Sequence, residues 1–270
     1  MPYKTSPAPH LRAEDTVPGM LWTVVLALLP VAGVRLFLFG FAALRIFSVT
    51  TASALVAELF FRKIFGRTSR LYDGSAVITG FLLALILPPA LPSWMAALAA
   101  FAAIGMGKEI FGGLGQNPFN PALVGAAFLL ASFPSVRGSL EAPGMGAWEP
   151  VAIGAVFLGG ALLLIRRIIS WEPPFWYAAG FLLTAGLWGP ARMGAPAWSL
   201  LFLAAFFLVT DPPTLPLTRL GRRWFAAGAG ALGAVLTPWA GPLPAVVHGL
   251  LLMNGLGPAL DRKFRPRFRG

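Results

Sequence analysis

Apolar runs separated by short clusters of charge, glycine and proline dominate this chain. They predict helices over 20–34, 37–61, 74–87, 94–109, 121–133, 149–165, 174–188, 198–210, 224–236 and 245–260. The run over 74–87 would reach only roughly 21 Å at 1.5 Å per residue, against a hydrocarbon core of ~30 Å. It stops at Pro88-Pro89, which cannot continue a helix because proline lacks a donor and clashes with the preceding turn. The run over 121–133 is short as well.

The two halves echo one another. Leu87-Pro-Pro-Ala-Leu-Pro92 parallels Asp211-Pro-Pro-Thr-Leu-Pro216, and Asn117-x-x-x-Pro-Ala-Leu123 parallels Asn254-x-x-x-Pro-Ala-Leu260. Each half holds an odd number of runs, so the second enters the membrane from the opposite side. The fold class expected is an all-α polytopic membrane protein of about ten transmembrane helices, built as two inverted five-helix repeats with short, interrupted helices. The segments are a cytoplasmic arm over 1–18, a first repeat over 19–133 and an extracytoplasmic loop over 134–148. A second repeat over 149–261 and a basic tail over 262–270 complete the chain.

Charge supports this arrangement. The arm, the 62–70 loop, Lys108, Arg166-Arg167, the 219–223 loop and the tail fall on one side. The other side receives Arg35, read as a short exit loop, with Arg137 and Arg192. Cationic loops stay in the cytoplasm, so both termini are expected there, in a multi-pass protein of a prokaryotic inner membrane. The arm shows no signal-peptide cleavage pattern.

Composition agrees: 57% of residues are hydrophobic, 11% are charged, and mean hydropathy is +0.75. Soluble domains carry about 25% charged residues. The net charge of +11 is scattered between apolar runs, which fits topology and a lipid bilayer partner rather than nucleic acid. There is no cysteine, which excludes a Cys-ligated iron–sulfur cluster, a disulfide or a thiol nucleophile in this chain. His10 and His248 are too far apart in sequence to suggest a metal pair. No catalytic or metal-binding residue is assigned.

The most polar interruption is Gly112-Gly113-Leu114-Gly115-Gln116-Asn117-Pro118-Phe119-Asn120-Pro121. Non-helical backbone at membrane depth persists only where protein buries it or a wet cavity accepts it. Two readings are open: a polar turn with Asn120 capping the next helix, or a loop whose carboxamides meet a heteroaromatic ring edge. The glycines would allow close backbone approach or tight helix packing. Glu58 reads as an interfacial partner of the Arg62–Arg70 cations or as an ion site. Lys108-Glu109 reads as a snorkelling interfacial pair. Asp73 would favour a helix N-terminus and Thr79 would back-bond within its helix. Asp211 is either paired with Arg219, Arg222 or Arg223, or a cation site, since an unpaired carboxylate among apolar residues is costly.

Four motifs together resemble the RnfD/NqrB family of membrane subunits of the Rnf and sodium-pumping NADH:quinone oxidoreductase complexes. They are Asp73-Gly-Ser-Ala-Val-Ile-Thr-Gly80, Lys108 to Gly125, Thr210-Asp211-Pro212 and Leu251-Leu-Met-Asn254. The resemblance implies a membrane-embedded electron-transfer subunit of an oxidoreductase complex of translocase type, rather than a stand-alone enzyme. It implies ion translocation and a non-covalent flavin, riboflavin or FMN, in the cytoplasmic half. Partners would be other membrane and peripheral subunits carrying iron–sulfur centres and FMN. Carried over residue by residue, the flavin-binding set is Asn117, Asn120, Gly113, Gly115, Phe119, Thr79 and Asn254, with Asp211 as the ion candidate. Members with a covalent FMN carry it on a threonine in a Ser/Thr-Gly-Ala-Thr motif between spans five and six. Here that loop contains no threonine, only Ser135 and Ser139 as hydroxyls, so covalent FMN is expected to be absent. A flavin-free transporter or ion-conducting subunit of the same fold is the alternative.

Overall fold

The computed structural model describes residues 16–67, 71–133, 146–189 and 197–265. Among them every regular element is helical. α1 covers Val17–Ile64, α2 Ser75–Ile86, α3 Ser93–Gly107, α4 Pro121–Ser132, α5 Glu149–Ile165 and α6 Glu172–Trp188. α7 starts as Trp198–Leu203 and continues as a π-helical turn over Ala204–Leu208. α8 covers Arg219–Ala240 and α9 Pro242–Phe264. Among the described residues, four stretches are long and apolar enough to cross a membrane: Val17–Ile64, Ser93–Phe111, Gly146–Ile165 and Pro242–Phe264. Large apolar side chains such as Phe41, Ile165, Leu183 and Leu187 face outward, a surface suited to lipid. This is an all-helical membrane protein. The Ser135, Arg137, Ser139 and Arg192 expectations lie outside the described residues, as do most of the arm and the tail.

The first two expected runs join into α1. A straight helix of 48 residues would reach roughly 72 Å at 1.5 Å per residue, far beyond any bilayer. Gly40 breaks it, with φ 50 and ψ −127, a left-handed backbone that a Cβ would oppose. One residue therefore takes the place of a loop.

Arg35 is not in that connection. It is buried inside α1, and its guanidinium donates to the carbonyls of Leu85 and Leu87. Arg45, beyond the Gly40 break, donates to Pro89 O at 3.1 Å and Leu91 O at 3.0 Å. The reason lies in α2. Pro88-Pro89 stops that helix at Ile86, and its last carbonyls have no intrahelical partner. Unsatisfied carbonyls in an apolar interior are costly. Arg35 supplies donors at that helix end, and Arg45 serves two carbonyls of the turn that follows.

Elsewhere small residues set the packing. α6 and α8 cross so closely that a Cβ on Gly180 would strike the Ala227 carbonyl. A Cβ on Gly230 would likewise strike the Tyr177 carbonyl. Such contacts let helices associate where lipid tails are as apolar as leucine. α1 also packs on α2, α3 and α5, while α9 runs along α8 and touches α4. Elements of both halves, α1, α2 and the start of α4 with α5 and α7, line one cavity.

Candidate functional site

The polar interruption folds as a turn and a helix cap. After α3 comes a short 3-10 turn, Glu109–Phe111, then Gly112, Gly113 and Gly115 with φ of 122°, 97° and 85°. Their role is this left-handed backbone rather than helix packing; a Cβ on Gly115 would meet nothing within 4 Å. Asn120 then caps α4, its Oδ1 accepting from Ala122 N at 3.0 Å and Leu123 N at 3.4 Å. Asn117 Nδ2 closes its own turn by donating to Phe119 O at 3.1 Å. Asn117 Oδ1 has no hydrogen-bond partner among the described residues, although Asn117 is only 4% exposed.

A cavity of about 420 Å³ opens beside this turn. Asn117, Asn120, Gly115, Thr79 and Asp211 all line it, so five of the sequence-derived positions converge. Its walls are otherwise mostly apolar: Met20, Leu21 and Val24 of α1, Ile78 and Leu82 of α2, and Phe206 and Phe207 of the π turn. A π turn places two consecutive phenylalanines against one space, a distortion frequent at functional sites. Thr79 lines the cavity while its hydroxyl donates back to Ser75 O at 3.0 Å.

Three expected positions stand behind that wall. Gly113 lies near the Glu109 carboxylate and Arg67. Phe119 packs on Phe111 with ring centroids 6.2 Å apart. Asn254 is buried, its Oδ1 accepting from Asn120 N at 3.3 Å. The repeated asparagine motifs thus meet through Asn120 rather than Asn117.

Asp211 accepts from Asn120 Nδ2 at 3.2 Å and from Thr214 Oγ1 at 3.5 Å. The expected pairing with the α8 arginines does not form. Arg219 and Arg223 converge instead on Glu172, at 2.6 Å and 3.1 Å, because α8 packs along α6 and Glu172 opens α6. Arg222 donates to Pro216 O at 2.9 Å and Leu217 O at 3.3 Å.

A buried ionic cluster adjoins the cavity, although its members read in sequence as residues of the membrane surface. Lys108 Nζ lies 3.0 Å from Glu58 Oε1 and donates to Ser75 Oγ at 2.6 Å. Ser75 Oγ in turn donates to Asp73 Oδ1 at 2.6 Å. Arg62 lies 2.5 Å from Glu58, 3.5 Å from Glu109 and 3.7 Å from Asp73. Arg67 pairs with Glu109 at 3.0 Å. Glu58 and Glu109 are 0% exposed and Lys108 is 2% exposed, so Lys108-Glu109 does not snorkel. Buried ions persist when each finds partners, and here cations from α1 and the end of α3 interleave with carboxylates. Ser75 and Lys108 also line the cavity. The signal in the sequence is a Lys-Glu pair amid apolar and glycine residues, with Glu58 one helical turn before Arg62. His248 bonds only within its own helix, to Pro244 O at 2.6 Å. No cluster of three or more His, Cys, Asp or Glu suited to a metal occurs among the described residues.

The sequence pattern of the NQR2, RnfD, RnfE family matches residues 4–144 and 138–270, together the whole of this architecture. This chain belongs to that family. It is 32% identical over 314 residues to the D component of the proton-translocating ferredoxin:NAD(+) oxidoreductase complex of Clostridium ljungdahlii, covering 98% of this chain and 95% of the relative. It is 35% identical over 333 residues to the D component of the ion-translocating oxidoreductase complex of Stutzerimonas stutzeri, covering 95% and 93%. The D component of the Na(+)-translocating ferredoxin:NAD(+) oxidoreductase complex of Acetobacterium woodii is 31% identical over 300 residues, covering 98% and 94%. The names of these NQR2, RnfD, RnfE relatives agree on the component and differ on the ion.

Proposed function

We propose that this protein is the membrane electron-transfer subunit of an Rnf-type ion-translocating oxidoreductase complex, and that its cavity holds a non-covalent flavin. The observation that carries the flavin reading is Asn117: a buried carboxamide whose Oδ1 lacks a partner among the described residues, lining a largely apolar cavity. An isoalloxazine ring needs an apolar slot and a few polar groups for its hydrogen-bonding edge. The volume of about 420 Å³ falls within the roughly 300–1,000 Å³ of small-molecule sites. Asn117 would accept from the ring edge, Gly115 would let backbone approach it, and Phe206 and Phe207 would pack its apolar end. When bound, the flavin supplies the one- and two-electron chemistry. The chain supplies position, a dry wall and charge.

Partners in this reading are the other membrane and peripheral subunits, including those with iron–sulfur centres and FMN; the relatives' names, as components of complexes, support it. The lack of threonine between Pro134 and Pro150 supports the absence of a covalent flavin. No fluorescent band should then survive denaturing electrophoresis of protein coexpressed with a flavin transferase. Two inverted repeats with ten crossings are supported by the breaks. Pro88-Pro89 lies at one end of α2, while Ser75, at the other end, lines the same cavity as Pro212-Pro213.

Flavin released from purified protein tests the reading. Wild type should carry flavin, and Asn117→Leu should lower affinity about five- to 150-fold, the equivalent of a lost buried hydrogen bond of about 1–3 kcal/mol. Wild-type protein without flavin would favour the flavin-free transporter instead. Full flavin content in Asn117→Leu would move the pocket elsewhere.

A further inference from the structure

Lys108 belongs to the ionic cluster and to the cavity wall at once. Every other charged member of the cluster stays behind the wall: Glu58, Arg62, Arg67, Asp73 and Glu109 do not line the cavity. Glu58 and the Ser75–Asp73 pair hold the Lys108 ammonium in place from two sides. Arg62 takes up the remaining charge of Glu58, Asp73 and Glu109. Three carboxylates and three cations are thereby arranged with one positive charge foremost. Ser75 opens α2 and Asn120 caps α4, so two helix N-termini add partial positive charge at the same wall. Among the described residues Asp211 is the one carboxylate that lines the cavity, and it faces Asn120 and Thr214 rather than Lys108.

We propose that Lys108 is the residue that stabilises negative charge arriving on the cavity's occupant, with Glu58 setting how much of its field reaches the cavity. This rests on the flavin reading above. An electron delivered by a reduced iron–sulfur or flavin donor of the complex adds one negative charge, with no bond made or broken. The Lys108 ammonium offsets that charge, and the low local dielectric keeps the attraction strong. Charge near a flavin ring is among the protein's means of tuning its electronics. Lys108 would thus raise the potential at which the cavity's occupant accepts electrons. Removing Glu58, the counter-charge behind it, would raise that potential further.

The test is a spectroelectrochemical titration of full-length purified wild type, Lys108→Met and Glu58→Gln, with flavin content measured in parallel. The expected result is a lower midpoint potential in Lys108→Met and a higher one in Glu58→Gln, both variants retaining bound flavin. A purely structural role would not move the two in opposite directions. Unmoved potentials, or shifts of the same sign, would overturn the proposal and leave the flavin reading standing. If Lys108→Met does not fold, the double variant Lys108→Met/Glu58→Met replaces the pair by apolar groups, which buried pairs often tolerate. It must then titrate below wild type, and a potential at or above wild type overturns the proposal. Wild-type protein without flavin overturns both readings together.

Discussion

Asn120 Nδ2 donates to Asp211 Oδ2 at 3.2 Å, joining residues 91 positions apart across the two halves of the chain. The same carboxamide caps α4 through its Oδ1, and the backbone beside it donates to Asn254. One residue therefore fixes a helix start, a loop carboxylate and a contact between the two halves of the chain. Asn120→Ala should lose the cap, worth typically ~1 kcal/mol, and leave Asp211 with Thr214 alone. Asn120→Asp keeps an acceptor for Ala122 N but sets a second carboxylate against Asp211. Both should lower the thermal midpoint in detergent, with Asn120→Asp recovering as pH falls and Asn120→Ala not recovering. Equal pH dependence in the two would show that Asp211 does not sense position 120.

Arg35 and Arg45 make a second prediction. The Arg35 guanidinium meets carbonyls left open where Pro88-Pro89 ends α2, and Arg45 meets those of Pro89 and Leu91 just beyond. Arg35→Met should leave two carbonyls unpaired and destabilise by about 1–3 kcal/mol for each such group. Arg35→Lys should lie between wild type and Arg35→Met, because an ammonium lacks the planar fork that reaches two carbonyls at once. Fluorescence-detected size exclusion after graded heating would rank the three. A stable Arg35→Met would mean that the carbonyls find other donors.

Glu172 stands at the first residue of α6, ahead of the apolar run that starts at Pro174. Hydrogen bonds from Arg219 and then Arg223 hold its carboxyl pKa at about 2, below the ordinary 4.5. A depressed carboxyl contributes stability that is present above the unfolded value and lost as pH falls toward the folded one. Wild type should therefore lose thermal stability relative to Glu172→Gln as pH is lowered from about 4.5 toward about 2. Arg219 is 75% exposed at its side chain, so solvent screening should keep the difference small. Parallel pH profiles of wild type and Glu172→Gln would assign no stabilising role to the pair.

Much of this structure is legible locally, and the rest depends on partners far along the chain. The α2 stop at Pro88-Pro89, the Asn120 cap and the Thr79 back-bond follow from a few neighbouring residues, and the structure contains each. The Gly/Asn loop points to a cavity because polar backbone in an apolar chain needs somewhere to go, and five of the residues singled out line it. Arg35 reads in sequence as a loop cation because a lone arginine in an apolar run looks like a boundary. Its carbonyl partners are 50 and 52 residues away. Lys108 reads as interfacial for the same reason; Ser75, its hydroxyl partner, is 33 residues away. Periodicity reports which face is apolar, and carries no information about which distant carboxylate waits inside. Asp211 shows the converse error. Three arginines lie within twelve residues of it in sequence, yet α8 turns two of them toward Glu172.

The last prediction concerns topology. The Pro88-Pro89 break lies at the end of α2 where Arg35 and Arg45 reach it, while Ser75 at the other end of α2 shares the cavity with Pro212-Pro213. An inverted repeat would place its equivalent breaks toward opposite ends of such a helix. The cationic residues Arg62, Arg67 and Lys108 gather at the Ser75 end, which the positive-inside rule places toward the cytoplasm. A chain that starts in the cytoplasm and crosses an odd number of times should emerge on the far side after Phe133. Alkaline phosphatase fused after Phe133 should then be active, and green fluorescent protein fused after Gly270 should be fluorescent. A silent phosphatase with a fluorescent C-terminal fusion would put both points on one side, and the two halves could not then be inverted copies.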